Sequence, residues 1–441
     1  MSIHNINDSN KSCNNFISLS DFSKDLKEAI IRIIKKEGYD RCQISKRIIS
    51  SKGGNFLGTL YEVDITGITK DGYKETNLFI KEAKVLKKIR IISIENVYSN
   101  EVFFYNELAN IIVDLQNKVN VPDNEKFKLP KGYNESYEKA IILENLARKG
   151  FEIYNRNNGI SLKLAELTVE QLAKFHGLSF VIENRIPEYY KTSIKCRKQQ
   201  MIFDADWNIF ITNVCSKIID VLESDFLKDK VKKLVPKMHS KLQEYMLDCS
   251  PIEVLCHGDY KPQNIMAKKL NGEIIEVIVL DYQLIYYGCP INDLLFFIFS
   301  ATDRQFRKKY MEHLKSLYHE SLKKFLEHFK IDVENVFSRQ QFEQTFKDRL
   351  EYGLMTGVYM SYFQFVREDD VAHFGERALS ELDINPCDGY KNWIRGYVDG
   401  SVYIQARQVI DMSSGIDRET WELIEVIGKS IKKSKSTMHK D

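Results

Sequence analysis

The sequence predicts an α+β fold of two lobes, a small β-rich N-terminal lobe and a large, mainly helical C-terminal lobe. Three observations carry this. Short strand-like runs cluster between Arg47 and Lys81, and helical apolar spacing dominates beyond about Ser161. A single hairpin interrupts the helical region, Ile265-Met266-Ala267 and Ile274 to Leu280, joined through Lys268-Lys269-Leu270-Asn271-Gly272. Asn-Gly is a tight-turn signal because both residues tolerate positive φ.

Taken in order, Met1 to Asn15 is polar and Asn/Ser-rich without an apolar segment, so residues 1–20 are expected to be a disordered lead-in rather than a secretory signal, and the cytoplasm is the expected location. The N-terminal lobe is placed at 21–143. It opens with a capping helix, Phe22 to Lys36, with apolar residues at helical spacing and a stop at Gly38. Arg47 to Ser50 reads as β-like, Gly54 to Gly58 as a glycine-rich loop, and Leu60 to Thr66 and Thr76 to Lys81 as antiparallel strands around Lys70-Asp71-Gly72. Asn96 to Val113 is helical with Asn96 as its N-cap. Lys139 to Leu146 is a short apolar strand, and 144–147 is the expected hinge.

The C-terminal lobe is placed at 148–431 and a frayed basic tail at 432–441. Its helices are expected at Leu162 to Ile182 with a break near Thr168, Asp206 to Leu222, Leu227 to Met246 broken at Pro236, Arg304 to Phe329, Arg339 to Phe365 and Glu419 to Ile431. The longest central apolar stretch, Leu294 to Phe299, is far short of the ~20 residues of a membrane span.

Composition narrows the function. Lys+Arg 64 against Asp+Glu 62 leaves a net charge of +2, so no global field points to nucleic acid or an anionic membrane. The eight cysteines, at 13, 42, 196, 215, 249, 256, 289 and 387, form no C-x-x-C pair and no zinc spacing. Neither a disulfide scaffold nor a zinc site is expected.

The chemistry lies in His257-Gly258-Asp259-Tyr260-Lys261-Pro262-Gln263-Asn264, followed beyond the hairpin by Val279-Leu280-Asp281-Tyr282-Gln283. An Asp five residues before an Asn, then a second Asp ending an apolar strand, places one carboxylate at a substrate hydroxyl and two oxygen ligands on magnesium. The hairpin returns Asp281 to the neighbourhood of Asn264. Lys81 ends a strand, where a compact ammonium can reach the phosphates of ATP, and Glu101, on a helix face with Tyr105 and Leu108, is its expected partner. Each motif alone is weak; their order makes a kinase-like site the reading. The loop Ser51 to Gly58 can bring backbone N–H groups to phosphate at Gly53, Gly54 and Asn55, although it departs from G-x-G-x-x-G.

Other polar residues read as structural. His257 is expected to hold its loop, and His176 to be a satisfied core histidine. Asp293 is equally an N-cap for the helix beginning at Pro290 or a brace for the catalytic loop.

Cys256-His257-Gly258-Asp259 with Asn264-Ile265-Met266, Asp281-Tyr282-Gln283, Tyr287-Gly288-Cys289-Pro290 and Asp293 to Phe296 together resemble the ecdysteroid kinase-like family of small-molecule kinases, relatives of choline and aminoglycoside phosphotransferases. Leu143 to Leu146, Leu172 to His176, and Glu101 with Tyr105 extend the likeness, which spans Gly53 to Phe299. The resemblance implies a bilobal protein-kinase-like fold with ATP and Mg2+ as cofactors. In it Asp259 is the base, Asn264 and Asp281 hold magnesium, Lys81 with Glu101 anchors the phosphates, and Glu144, Asn145 and Leu146 meet the adenine. Tyr282-Gln283 stands where the family usually has Phe-Gln.

A protein kinase is disfavoured, because Pro290 follows Asp281 by only nine positions, which leaves no room for an activation loop. The expected partner is a small-molecule alcohol, lipophilic like an ecdysteroid or a hydroxylated or glycosylated xenobiotic. A choline- or aminoglycoside-type kinase and a nucleotide-binding pseudokinase are the alternatives. The aromatic segments around Phe203 to Phe210 and Met355 to Phe363 read as core before they read as pocket.

Overall fold

The computed structural model describes residues 22–49, 58–83, 92, 94–153, 160–221, 225–247 and 250–365. Gly53, Gly54 and Asn55, both chain ends, and the helix expected at Glu419 to Ile431 lie outside the described residues.

Helix α1 (Lys24–Lys36) leads into an antiparallel sheet of β1 (Tyr39–Ile49), β2 (Gly58–Thr69), β3 (Gly72–Ala83) and β4 (Ala140–Glu144), in the order β1-β2-β3-β4. The period of two along a strand explains its two faces. Leu78 and Ile80 of β3, with Val63, Ile65 and Ile142, bury against Leu26, Ala29, Ile30 and Ile33 of α1. Phe79 and Lys81 therefore point the other way, with Ile141 and Leu143, toward the rest of the molecule. Lys81 pairs with Leu60 on one side and Ile141 on the other, so a central strand fixes it. Strand β1 begins at Tyr39, well before the run at Arg47, because most of its residues lie on an exposed or half-buried strand with no apolar alternation to read.

The next helix has three segments: α2 (Ile94–Phe103), a π-helical turn (Phe104–Leu108) and α3 (Ala109–Lys118). Asn96 sits inside its first turn, so it cannot be the N-cap, which must stand outside. The wide turn buries Phe104, Tyr105 and Leu108 together.

The second lobe contains β5 (Phe151–Ile153), α4 (Leu162–Arg185), a short α5 (Pro187–Tyr189), α6 (Ala205–Val221), α7 (Asp225–Leu247), β6 (Val254–Cys256), β7 (Ile265–Leu270), β8 (Glu273–Val279), β9 (Tyr286–Gly288), α8 (Pro290–Ala301), α9 (Arg304–Glu327), α10 (Val333–Val336), α11 (Arg339–Asp348) and α12 (Leu350–Phe365). α4 and α8 are buried along most of their length and form the core against which α9 and α12 pack. β7 and β8 pair as the expected hairpin, turning at Asn271 (φ 51°) and Gly272 (φ 85°).

Three helix boundaries differ from expectation. α4 is unbroken, because Ser161 is its cap, accepting from Leu164 N at 3.2 Å, while Thr168 is buried in mid-helix. α7 runs through Pro236, held by Met238, Leu242 and Met246, which bury in the main core. The span from Arg339 is two helices. Arg349 leaves helical geometry between them and donates to Tyr245 O at 2.6 Å and Asn292 Oδ1 at 3.0 Å.

Candidate active site

The loop that carries Asp259 leaves β6 at Cys256. Gly258 has φ +78°, and a Cβ there would run into the Leu284 carbonyl, so only glycine fits. Asp293 accepts from His257 N at 2.5 Å and Gly258 N at 3.0 Å. It thus braces the loop, and Cys289 takes the N-cap position of α8. Behind it, His176 sits 3.2 Å from Asp293 Oδ2 through Nε2 and 2.6 Å from the Tyr318 hydroxyl through Nδ1. His176, Cys256 and Asp293 bring possible metal ligands within 4.8 Å of one another. The Asp293 oxygens and both His176 nitrogens are already engaged, which makes the cluster a brace.

His257 holds its own loop to β8. Its Nδ1 accepts from Asp259 N at 3.2 Å, which leaves Nε2 to donate to Leu280 O at 3.0 Å. Burial lowers its pKa below that of an ordinary histidine, favouring the neutral ring this pairing needs. Leu280 N in turn donates to Asn264 O at 2.8 Å, so the two ends of the hairpin are tied together.

Asp259 is buried, and its Oδ2 accepts from Lys261 Nζ at 2.6 Å and Asn264 Nδ2 at 3.0 Å. Asp281, two residues beyond the end of β8, lies in the left-handed region, φ 68° and ψ 61°, which bends the chain into a 3-10 turn (Tyr282–Leu284). From there its Oδ1 meets Lys81 Nζ at 2.6 Å. Lys81 also donates to Glu101 Oε2 at 2.9 Å and Gln283 Oε1 at 2.9 Å, so each of its three N–H bonds has a partner. Burial works against charge on Lys81, but Asp281 and Glu101 outweigh it and hold the ammonium above its usual range. Burial pushes the Glu101 carboxyl up, with Lys81 pulling it back.

A column of rings joins the lobes here. Tyr282 stacks on Phe104 with centroids 3.5 Å apart and lies 4.8 Å from His257 and 5.6 Å from Phe175. Its hydroxyl is buried and has no hydrogen-bond partner among the described residues.

At the expected hinge, the Glu144 carboxylate accepts from Lys131 N at 2.9 Å and from Lys149 Nζ. The amides of Glu144 and Asn145 donate to Lys131 O and Asn77 O, both at 2.9 Å. Those groups are committed to the protein itself. Leu146 instead packs with Phe151, Met266 and Ile278, beside Leu280. A cavity of about 470 Å³ beside the hinge is lined by Leu146, Phe151 and Ile278 with Gln116, Phe127 and Glu144; neither Lys81 nor Asp259 reaches it.

The structure brings Asp259 and Asn264 into direct contact, as it does Lys81, Glu101 and Asp281. Lys261 and Gln283 were not singled out from sequence, although both stand inside the quoted motifs. Trp207, Phe210, Met355 and Tyr359 are buried in the core, and the Trp207 and Tyr359 rings lie 5.7 Å apart.

A strand lysine paired to a helix glutamate, set over a helical lobe whose hairpin presents two aspartates, is the construction of a kinase-fold phosphotransferase. The chain belongs to the ecdysteroid kinase-like family, whose model matches residues 52–331, and is thus a small-molecule kinase. Among solved structures, a choline kinase from Cryptosporidium parvum Iowa II is similar at 14% identity, covering 87% of this chain and 96% of that one, with a TM-score of 0.46. A microcompartment-associated aminopropanol kinase is similar at 11% identity, covering 87% and 98%, TM-score 0.39. An amicoumacin kinase in complex with AMP-PNP and Ca2+ is similar at 12%, covering 84% and 100%, TM-score 0.38. No curated protein matches the sequence. No helix of the described residues is long and apolar enough to cross a membrane.

Proposed function

We propose that the protein transfers the γ-phosphoryl group of ATP, with Mg2+, to a hydroxyl of a small lipophilic alcohol, an ecdysteroid or a hydroxylated or glycosylated xenobiotic. The observation that carries this is the junction of Lys81, Glu101 and Asp281 beside the Asp259–Asn264 pair. The donor set fits a hard cation, since Asp281 and the Asn264 amide offer oxygen. Asp281 Oδ1 already faces a positive charge, the Lys81 ammonium. Bound magnesium would neutralise charge building on the phosphates.

In this reading Asp259 accepts the proton of the acceptor hydroxyl. Its Oδ2 is fixed by Lys261 and Asn264, which hold the carboxylate in one orientation as the hydroxyl approaches. Lys81 supplies positive charge to phosphate oxygens, held on a rigid central strand and aimed by Glu101. The apolar group of Leu146, Met266, Ile278 and Leu280 offers a floor for the adenine, and the Leu146 backbone is its partner at the hinge. Among the described residues, Glu101 is committed to Lys81 and Asp293 to loop amides. That supports a neutral acceptor over a cationic one.

The test is to incubate the protein with labelled ATP and Mg2+ and matched panels of steroid alcohols, phenolic glycosides, choline and aminoglycosides. Label is expected on the steroid or glycoside panel. Labelling confined to the cationic panel would overturn the lipophilic reading and keep the phosphotransferase.

A further inference from the structure

Three segments distant in sequence meet at Asn100 on α2, a residue only 3% exposed. Its Nδ2 is shared between the carbonyls of Gln283 and Ile285, at 3.3 Å each, in the stretch directly after Asp281. Its Oδ1 accepts from Arg197 Nη1 at 3.2 Å. The Arg197 guanidinium lies over the Phe103 ring, 3.6 Å from the centroid, and its carbonyl accepts from Tyr287 N at 2.8 Å. Gln283 completes the circuit, because its side chain accepts from Lys81 Nζ.

Phosphoryl transfer in this fold needs the strand lysine, the helix glutamate and the metal-binding aspartate in place together, and regulated protein kinases control that through a phosphorylated activation loop and the position of the helix. This chain has eight residues between Asp281 and Pro290. They are spent on the 3-10 turn and on β9, which pairs with β6. Nothing there can act as a switch, yet α2 still has to be held.

We propose that Asn100, Arg197 and Gln283 form a clip that fastens α2 to the turn after Asp281, so that the Lys81–Glu101 pair stays assembled without covalent modification. They are positioning residues: Asn100 and Arg197 act through Glu101, and Gln283 through Lys81. The inference rests on the reading of Lys81 as a phosphate-binding group.

The experiment is calorimetric titration of the full chain with AMP-PNP and Mg2+, for wild type, Asn100→Ala, Glu101→Gln and their double variant, with Arg197→Ala as an independent break at a half-buried position. Loss of hydrogen bonds within a charged network is expected to weaken AMP-PNP binding by about tenfold in Asn100→Ala and by several-fold in Arg197→Ala. The double variant is expected to bind no more weakly than Glu101→Gln alone, because the clip acts through that residue. Phosphatase-treated wild type is expected to bind as the untreated protein does.

Additive losses in the double variant would overturn the clip, as would binding within about twofold of wild type in Arg197→Ala and in any folded Asn100→Ala. Lost affinity after phosphatase treatment would do the same. Failure of wild type to bind at all would remove the phosphate role of Lys81, and the clip with it.

Discussion

Asp259 has one oxygen held by an ammonium and an amide, and this fixes what its replacement should do. Asp259→Asn keeps the shape and removes the charge that takes up the proton in the proposed mechanism. Positioned bases contribute typically ~10²–10⁴-fold, so turnover on any accepted alcohol should fall by that order while AMP-PNP affinity stays near wild type. Near-normal turnover would take Asp259 out of the mechanism. Tyr282 gives an opposite kind of test. Its buried hydroxyl, without a partner among the described residues, costs desolvation energy, about 1–3 kcal/mol for such a group. Tyr282→Phe keeps the ring stack on Phe104 and is expected to hold or raise the melting temperature. A clear drop in Tm would mean that the hydroxyl has a partner after all. The sequence made Asp259, Asn264 and Asp281 legible because a tight hairpin joins them. It did not single out Gln283, since nothing local distinguishes a glutamine that reaches a lysine on the other lobe.

Among the elements, α8 does more than fill the core. Through Asp293 it satisfies one buried and one half-buried amide of the loop that carries Asp259, and His176 on α4 steadies that carboxylate. Asp293→Ala would leave both amides unpaired, at about 1–3 kcal/mol each. The expected outcome is a Tm lowered by several degrees, and turnover reduced further than the folded fraction explains. Thermal unfolding and a rate at saturating substrate measure the two; unchanged turnover in the folded variant would reduce Asp293 to a packing residue. Sequence left Asp293 open between cap and brace because both uses place an acid in the first helical turn. The continuous α4 and α7 were misjudged for a related reason. Thr168 and Pro236 carry local break signals, and tertiary burial overrides them.

For the molecule as a whole, the lobes meet where cation faces acid. Lys81 acts on phosphate directly in the proposed site, whereas Asp281 acts through the metal. Lys81→Met should therefore weaken AMP-PNP binding with or without Mg2+, and Asp281→Asn mainly in its presence. Titrations of each variant across Mg2+ concentration decide this, and identical metal dependence would show the two roles wrongly assigned. The two-lobed plan was readable because strand and helix periodicities separate cleanly along the chain. The docking of the lobes was not, because the contacts that fix it are long-range.

The ion pair between Lys81 and Asp281 spans 200 residues, whereas Asn264 reaches Asp259 across five. That disparity sets an order of assembly. Closing the longer loop costs roughly 3 kcal/mol more in chain entropy than closing the shorter one, so the acidic hairpin should form before the lysine arrives. Pulse-labelled hydrogen exchange during refolding is expected to protect the amides of β7 and β8 ahead of the Lys128 amide, which donates to Gln171 on α4 across the lobes; simultaneous protection would show that the lobes condense together. A refolding chain would then present its aspartates to divalent cations before Lys81 has docked against them.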